Sequence, residues 1–323
     1  MEMIERAEFS LEGIEIGHAT DRESATGCTV ILSREGSCCG VDVRGGAPGT
    51  RETDLLRPEN LVDQIHGLLL TGGSAFGLDA AGGVMEFLEA HSCGFDVGVT
   101  RVPIVCGAAL FDLTVGDHQV RPDREMGYQA CQNCVQQSDE FGNVGCATGA
   151  SVGKIRGNKY AMKGGFGCWT VQCGELIVTA GVGVNCLGDV VDPTSGEKVA
   201  GVLDENRTTI GDSEMLMATN YDSLTNLFSG NTSIGVVATN GAFDKAQLSK
   251  IASMAQNGFA RTIYPAHTMY DGDTIFALSH GSISADLSSV GLLASRCISR
   301  AVVMGVKNAQ PAYGLKASSD LQR

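Results

Sequence analysis

Gly230-Asn231-Thr232-Ser233-Ile234-Gly235-Val236-Val237-Ala238-Thr239-Asn240 sets a polar, turn-prone end directly against an apolar run rich in β-branched residues. The pattern predicts a buried strand over Ser233–Thr239 with the hydroxyl of Thr232 at its mouth. An Asn-Thr-Ser triplet before a strand is by itself most often a loop entering a sheet. At this position, however, it also carries the chemistry of a chain that cuts itself. If the Thr232 hydroxyl attacks the Asn231 carbonyl and the peptide bond breaks, residue 232 becomes a new N-terminus that holds a nucleophile and a base together. An α-amine has an unperturbed pKa of about 7.7–8 and can take the hydroxyl proton near neutral pH.

Outward from this segment the chain alternates strand and helix patterns. Thr26–Leu32 and Val41–Val43 are β-branched runs expected to pair, followed by the glycine loop Arg44–Arg51. Ile65–Leu70 is a continuous apolar strand that enters Thr71-Gly72-Gly73-Ser74, and Leu78, Ala81, Val84, Met85 and Leu88 then recur at helical spacing to about Ala90. Leu176–Val184 predicts a strand ending at Asn185, and Thr274–Leu278 a further one. Leu248, Ile251, Ala255 and Phe259 mark one helix face. A last helix over Ala285–Val306 turns Val290, Leu293, Cys297, Ile298, Ala301 and Val302 inward. With no repeat or linker between them, these elements predict one layered α/β domain over residues 1–323.

Composition narrows the function. Forty-three glycines with 6% aromatic residues point to many tight turns between regular apolar segments. A formal charge of −14 excludes the basic face that nucleic acid or an anionic membrane needs, and favours a small substrate. No run approaches the roughly 18 uninterrupted apolar residues of a membrane helix, and Met1–Arg6 lacks a signal-peptide pattern, so the expected location is cytoplasmic. The twelve cysteines then read as thiols. Cys28, Cys168 and Cys186 look like small core residues, and Cys131-Gln132-Asn133-Cys134 is a lone CxxC without a second pair at zinc spacing; no metal or cofactor is expected.

The other candidates each have a plain alternative. Gly72-Gly73-Ser74-Ala75-Phe76 misses the G-x-S-x-G elbow at Phe76, so Ser74 is expected to cap the helix that follows. The six histidines form no H-x-x-x-H or H-E-x-x-H pair. Asp271-Gly272-Asp273 sets two carboxylates in i,i+2 relation, aimed at one place or exposed on a turn. Lys163, within Met162–Gly167, can reach a pocket or face solvent, and Asn185 can donate to an oxyanion or satisfy a turn.

Taken together, Gly27–Val30, Val41–Glu52, Leu70–Ala81, Gly142–Gly145, Met162–Gly165, Asn185 with Gly188–Pro193, and the Thr232 segment resemble the L-aminopeptidase/D-esterase (DmpA-like) family, which includes β-peptidyl aminopeptidases and a nylon-oligomer hydrolase. The resemblance covers nearly the whole chain. It implies a four-layer α/β/β/α sandwich shared with ornithine acetyltransferases, cleavage into an α chain (1–231) and a β chain (232–323), and a homo-oligomer of αβ units. It further implies Thr232 as nucleophile, Asn185 as oxyanion donor, and Asp271, Asp273 and Lys163 in the catalytic site. There Asp271 and Asp273 would orient the new amine and hydroxyl, while Lys163 either lowers the amine's pKa or neutralises the acids. Two departures bear on substrate. The loop Pro103–Asp112 lacks the acidic and aromatic residues with which the aminopeptidases hold a free amine, and Phe111 stands where the nylon-oligomer enzyme has a tyrosine. The expected activity is hydrolysis of a small amide, peptide or ester through an acyl-enzyme. The competing readings are acyl transfer to an amine, in which added amino acids speed acyl-enzyme breakdown, and a scaffold that never matures.

Overall fold

Along the strand Ile234–Gly241, successive side chains face two different cores. Ile234, Val236 and Ala238 point into one, and Val237 into the other, so this strand must lie in a sheet covered on both faces. The computed structural model describes residues 3–220 and 230–321. In chain order its main elements are β1 (Glu15–Asp21), β2 (Thr26–Val43), β3 (Gln64–Thr71), α1 (Ala80–Ala90), β4 (Val105–Ala109), α2 (Arg124–Gln132), β5 (Gly165–Cys173), β6 (Leu176–Val184), β7 (Ile234–Gly241), α3 (Lys245–Ala260), β8 (Thr274–Ile283) and α4 (Leu287–Lys307).

The strands form one hydrogen-bonded sheet in the order Met3–Arg6, β5, β6, β7, β8, β2, β3, β4, Thr50–Arg51, with β1 also paired to β2. This sheet doubles over on itself. Phe166, Cys168, Val236 and Phe276 from one half meet Ile31, Leu68, Leu70 and Cys106 from the other in the middle core. On one outer face Val178 and Val182 of β6 pack with Val237 and Ile275 against Leu248, Ile251, Ala255 and Phe259 of α3 and against Cys297, Ile298, Ala301 and Val302 of α4. On the other, Cys28, Val30, Leu32 and Leu69 pack against Ala81, Val84 and Leu88 of α1 and Ala130 and Cys131 of α2. The architecture is thus the α/β/β/α sandwich. Helix α4, long and apolar enough by composition to cross a membrane, spends that apolar surface inside this core.

Two local expectations need correction. Thr26–Leu32 and Val41–Val43 do not pair with each other; they are the two ends of the single strand β2. Pairing would need a turn in the polar stretch between them, but Gly36 at φ +88° makes a bulge there instead, and the register against β3 slips between Leu32 and Ser37. The first half of β2 pairs with β1 and β3, and the second half with β8, where α3 covers it through Gln256 Nε2 donating to the Asp42 carbonyl at 2.9 Å. One strand therefore passes from layer to layer. Ser74, in turn, does not cap α1. It sits at φ +56° inside a 3-10 turn, Ser74–Asp79, that precedes the helix, and no side-chain capping bond forms at that turn or at α1. Among the described residues the α-helices that are capped use aspartate: Asp123, Asp212, Asp244 and Asp286 accept from the backbone N–H three residues on, and Gln247 completes a capping box with Asp244.

Candidate active site

Strand register assembles the site. Strand β7 runs parallel to β8 with Ile234 opposite Thr274, so the segments entering the two strands lie side by side and Asn231 bridges Asp271. Strand β6 runs antiparallel on the other flank with Gly183 opposite Ile234, which carries Asn185 past Thr232. Thr232 N–H donates to the Asn185 carbonyl at 2.9 Å. Residues from three separate strand ends therefore meet at the Asn231–Thr232 bond, and Thr232, Asn231, Asn185, Asp271 and Asp273 are all at most 4% exposed.

The scissile carbonyl is held from two sides. Asn231 O accepts from the Gly272 N–H at 2.8 Å and from Thr232 Oγ1 at 2.5 Å. Both polar atoms of the buried Asn231 carboxamide lack a partner among the described residues. The Asn185 side chain is fully engaged: Oδ1 accepts from Ser151 N–H at 3.0 Å and from Lys154 Nζ at 2.9 Å, while Nδ2 donates to Phe111 O at 2.9 Å and reaches Gly230 O at 3.5 Å.

The two carboxylates are brought together and buried, so they are not an exposed turn. Asp273 accepts from Ser233 N–H at 2.8 Å on Oδ1, and on Oδ2 from His267 N–H at 3.1 Å and His267 Nδ1 at 3.0 Å. Asp271 accepts from the Thr268 N–H and hydroxyl on Oδ2, at 2.8 and 2.6 Å, and its Oδ1 has no partner among the described residues. Burial, then the neighbouring charge of Asp273, raises the Asp271 pKa above the ordinary carboxylate value.

Of the lysines, Lys163 does not join this cluster. Its buried ammonium donates to the carbonyls of Ala147, Ala150 and Gly164 at 3.1, 2.8 and 3.0 Å, and burial lowers its pKa to about 7. Lys154 is the ammonium that the fold delivers instead. From a 3-10 turn, Lys154–Arg156, its Nζ donates to the Asn185 carbonyl at 3.0 Å, to Asn185 Oδ1, and to Gly230 O at 3.2 Å. Burial lowers it to about 8, opposed by the charges of Asp271, Asp112 and Asp273. Sequence reasoning missed Lys154, because a lysine after a glycine occurs here and nothing local distinguishes it from Lys163. It missed His267 as well, since that histidine pairs with an aspartate and not with a second histidine.

Thr232 and Asn231 open on a cavity of about 280 Å³ lined also by Pro48, Ser74, Ala109, Phe111, Gly230 and Tyr270. Among the described residues, none of the lining side chains is charged. The Pro103–Asp112 segment is not a loop throughout, since its middle is strand β4, and its one acid is committed elsewhere, Asp112 accepting from Gly73 N–H at 2.7 Å and Thr26 Oγ1 at 2.8 Å. Among the described residues no three of His, Cys, Asp or Glu are grouped to hold a metal ion.

Residues 10–319 match the peptidase family S58. The chain belongs to that family. An uncharacterized aminopeptidase of Mycobacterium bovis is 41% identical, covering 96% of each chain. The 6-aminohexanoate-oligomer endohydrolase of Paenarthrobacter ureafaciens is 30% identical over 93% of this chain and 85% of its own. Among solved structures, the L-aminopeptidase D-Ala-esterase/amidase of Ochrobactrum anthropi, a variant of the Ntn hydrolase fold, superposes with a TM-score of 0.69 at 18% identity, over 93% of this chain and 85% of that one. A Burkholderia β-aminopeptidase gives 0.67 at 17%, over 96% and 90%. The S58 chain is accordingly a hydrolase of peptide or amide bonds.

Proposed function

We propose that this S58 hydrolase matures by cutting itself between Asn231 and Thr232 and then uses Thr232 as an N-terminal nucleophile. The observation that carries the reading is the Thr232 hydroxyl lying 2.5 Å from the carbonyl oxygen of its own preceding peptide, with Gly272 N–H already on that oxygen. In maturation, Oγ1 bonds to the Asn231 carbonyl carbon and charge develops on an oxygen held by the Gly272 N–H. Collapse breaks the C–N bond, the Thr232 nitrogen takes a proton, and an ester joins the two residues. Water then hydrolyses the ester to an Asn231 carboxylate and a free Thr232. Release of Asn231 also frees a buried carboxamide with two unsatisfied atoms, each a cost of about 1–3 kcal/mol.

In turnover the Thr232 nitrogen is the general base. Before cleavage it donates to the Asn185 carbonyl, an acceptor shared with the Lys154 ammonium. Two cations on one oxygen disfavour each other, which lowers the amine's pKa and supplies its free-base form near neutrality. Once Gly230 departs, Asn185 Nδ2 is released to a substrate oxyanion. Water completes hydrolysis of the acyl-enzyme.

The described lining of the cavity offers no carboxylate to an α-ammonium, which favours amides and esters with a neutral acyl group over peptides presenting a free amine. That preference agrees with the oligomer endohydrolase relative more than with the aminopeptidase ones. The test compares an N-acetylated with a free-amine amino-acid p-nitroanilide, using a Thr232→Ala blank. Faster release from the acetylated substrate is the expected result; tenfold preference for the free amine contradicts this function.

A further inference from the structure

We propose that His267 is a positioning residue of this site: it holds Asp273 as the ionised member of the Asp271–Asp273 pair and leaves Asp271 as the member that carries and exchanges the proton. The inference rests on the reading of Thr232 above. Two buried carboxylates side by side do not both ionise readily, and the one with more donors keeps the charge. Asp273 has three donors over both oxygens, two of them from His267. Among the described residues Asp271 has two, both from Thr268 on one oxygen, and its other oxygen has no partner.

The backbone of His267 is bent to this purpose. At φ +59° it occupies the left-handed region, uncommon for a residue other than glycine though open to histidine, and from there it offers both its N–H and Nδ1 to the same Asp273 oxygen. Donation requires the proton on Nδ1. Nε2 is buried without a partner among the described residues and the ring faces Phe259 of α3 at 6.4 Å between centroids, so Asp273 is the ring's polar contact. Other titratable groups bear on the pair from neighbouring elements. Lys154 acts on both acids from its turn and Cys186 meets both from the end of β6, each more strongly on Asp271 than on Asp273; the Lys154 charge therefore works against this order, and the three donors on Asp273 have to outweigh it. Asp112 acts through Lys154, and Asp189 through Cys186. The ionised Asp273 in turn anchors Ser233 N–H, the backbone group next after the nucleophile.

The test pairs two substitutions that both accept a left-handed backbone. His267→Asn keeps an N–H donor near the Nδ1 position, and His267→Gly deletes it. Hydrolysis of p-nitrophenyl acetate by the full chain is followed across pH, with melting temperatures recorded and Thr232→Ala as blank. The expected result is a kcat at least tenfold lower in the glycine variant at unchanged KM, with the acid limb of its pH–kcat profile moved up by about one unit. The asparagine variant should stay within about threefold of wild type with its acid limb in place. A folded glycine variant with the wild-type acid limb, or equal losses in both variants, overturns the proposal. If the glycine chain does not fold, His267→Asp takes its place with the same expectation, since it tolerates the backbone but offers no donor. Wild-type protein that neither cleaves itself nor exceeds the Thr232→Ala blank removes the Thr232 reading and the His267 assignment with it; an active wild type beside unaffected variants removes only the latter.

Discussion

Lys154 and Lys163 are both buried, yet one holds Asn185 and Gly230 while the other holds only loop carbonyls. Their truncations should therefore separate. Lys154→Met is expected to lower amide hydrolysis at least about 100-fold and to slow self-cleavage, because Asn185 Oδ1 and its carbonyl lose a charged donor. Lys163→Met should leave kcat within about threefold but cost about 2 kcal/mol or more in a urea melt, since three buried carbonyls lose their donor. Lys163 also sets a pH dependence. Its folded pKa of about 7 lies below the ordinary 10.5, so between those values the unfolded chain binds a proton that the native chain does not. Stability then rises as pH rises through that window and is lost as pH falls toward 7. Melts at pH 7.5 and 9 should show a shallower slope in the Met variant. At this scale the meeting of Thr232, Asn185, Asp271 and Asp273 was legible only through the family resemblance, because a polar residue at a strand end reads equally well as part of a turn. The ammonium was not, because Gly153-Lys154 and Lys163-Gly164 look alike until the chain is folded.

The elements that make the site are the ends of β6, β7 and β8, and two glycines there leave no room for a side chain. A Cβ on Gly272 would fall 2.6 Å from Thr232 Oγ1 and 2.7 Å from Ala47 O, so Gly272→Ala should yield a folded chain that stays uncut on a denaturing gel. A Cβ on Gly230, which has φ +42°, would strike the Phe111 ring, and Gly230→Ala should slow cleavage several-fold without abolishing it. Most long elements could be read from periodicity: Leu176–Val184 matches β6 end for end, and α4 differs from its expected span by a residue or two. The unity of β2 could not, because Ser33–Ser37 has turn composition and only its pairing with β3 and β8 keeps it extended. The left-handed Ser74 was likewise hidden. A Gly-Ser before a helix looks like a cap, and it is the contact of Ser74 N–H with Leu110 O at 2.9 Å that bends it otherwise.

On the scale of the whole molecule, the predicted cut would fall inside the fold and not between lobes. Residues 232–323 contribute β7 and β8 to the middle of the sheet and α3 and α4 to an outer layer, bonded on one side to β6 and on the other to β2. The two fragments should therefore stay associated: size-exclusion chromatography in native buffer should give one species containing both, and they should part only in denaturant. The most direct test of the account is the intact mass of freshly purified protein beside the Thr232→Ala variant. Two chains ending and beginning at Asn231 and Thr232 in the wild type, with a single 33.7 kDa chain in the variant, is the predicted result. A single uncut chain in both, or cleavage that persists in the variant, would contradict it.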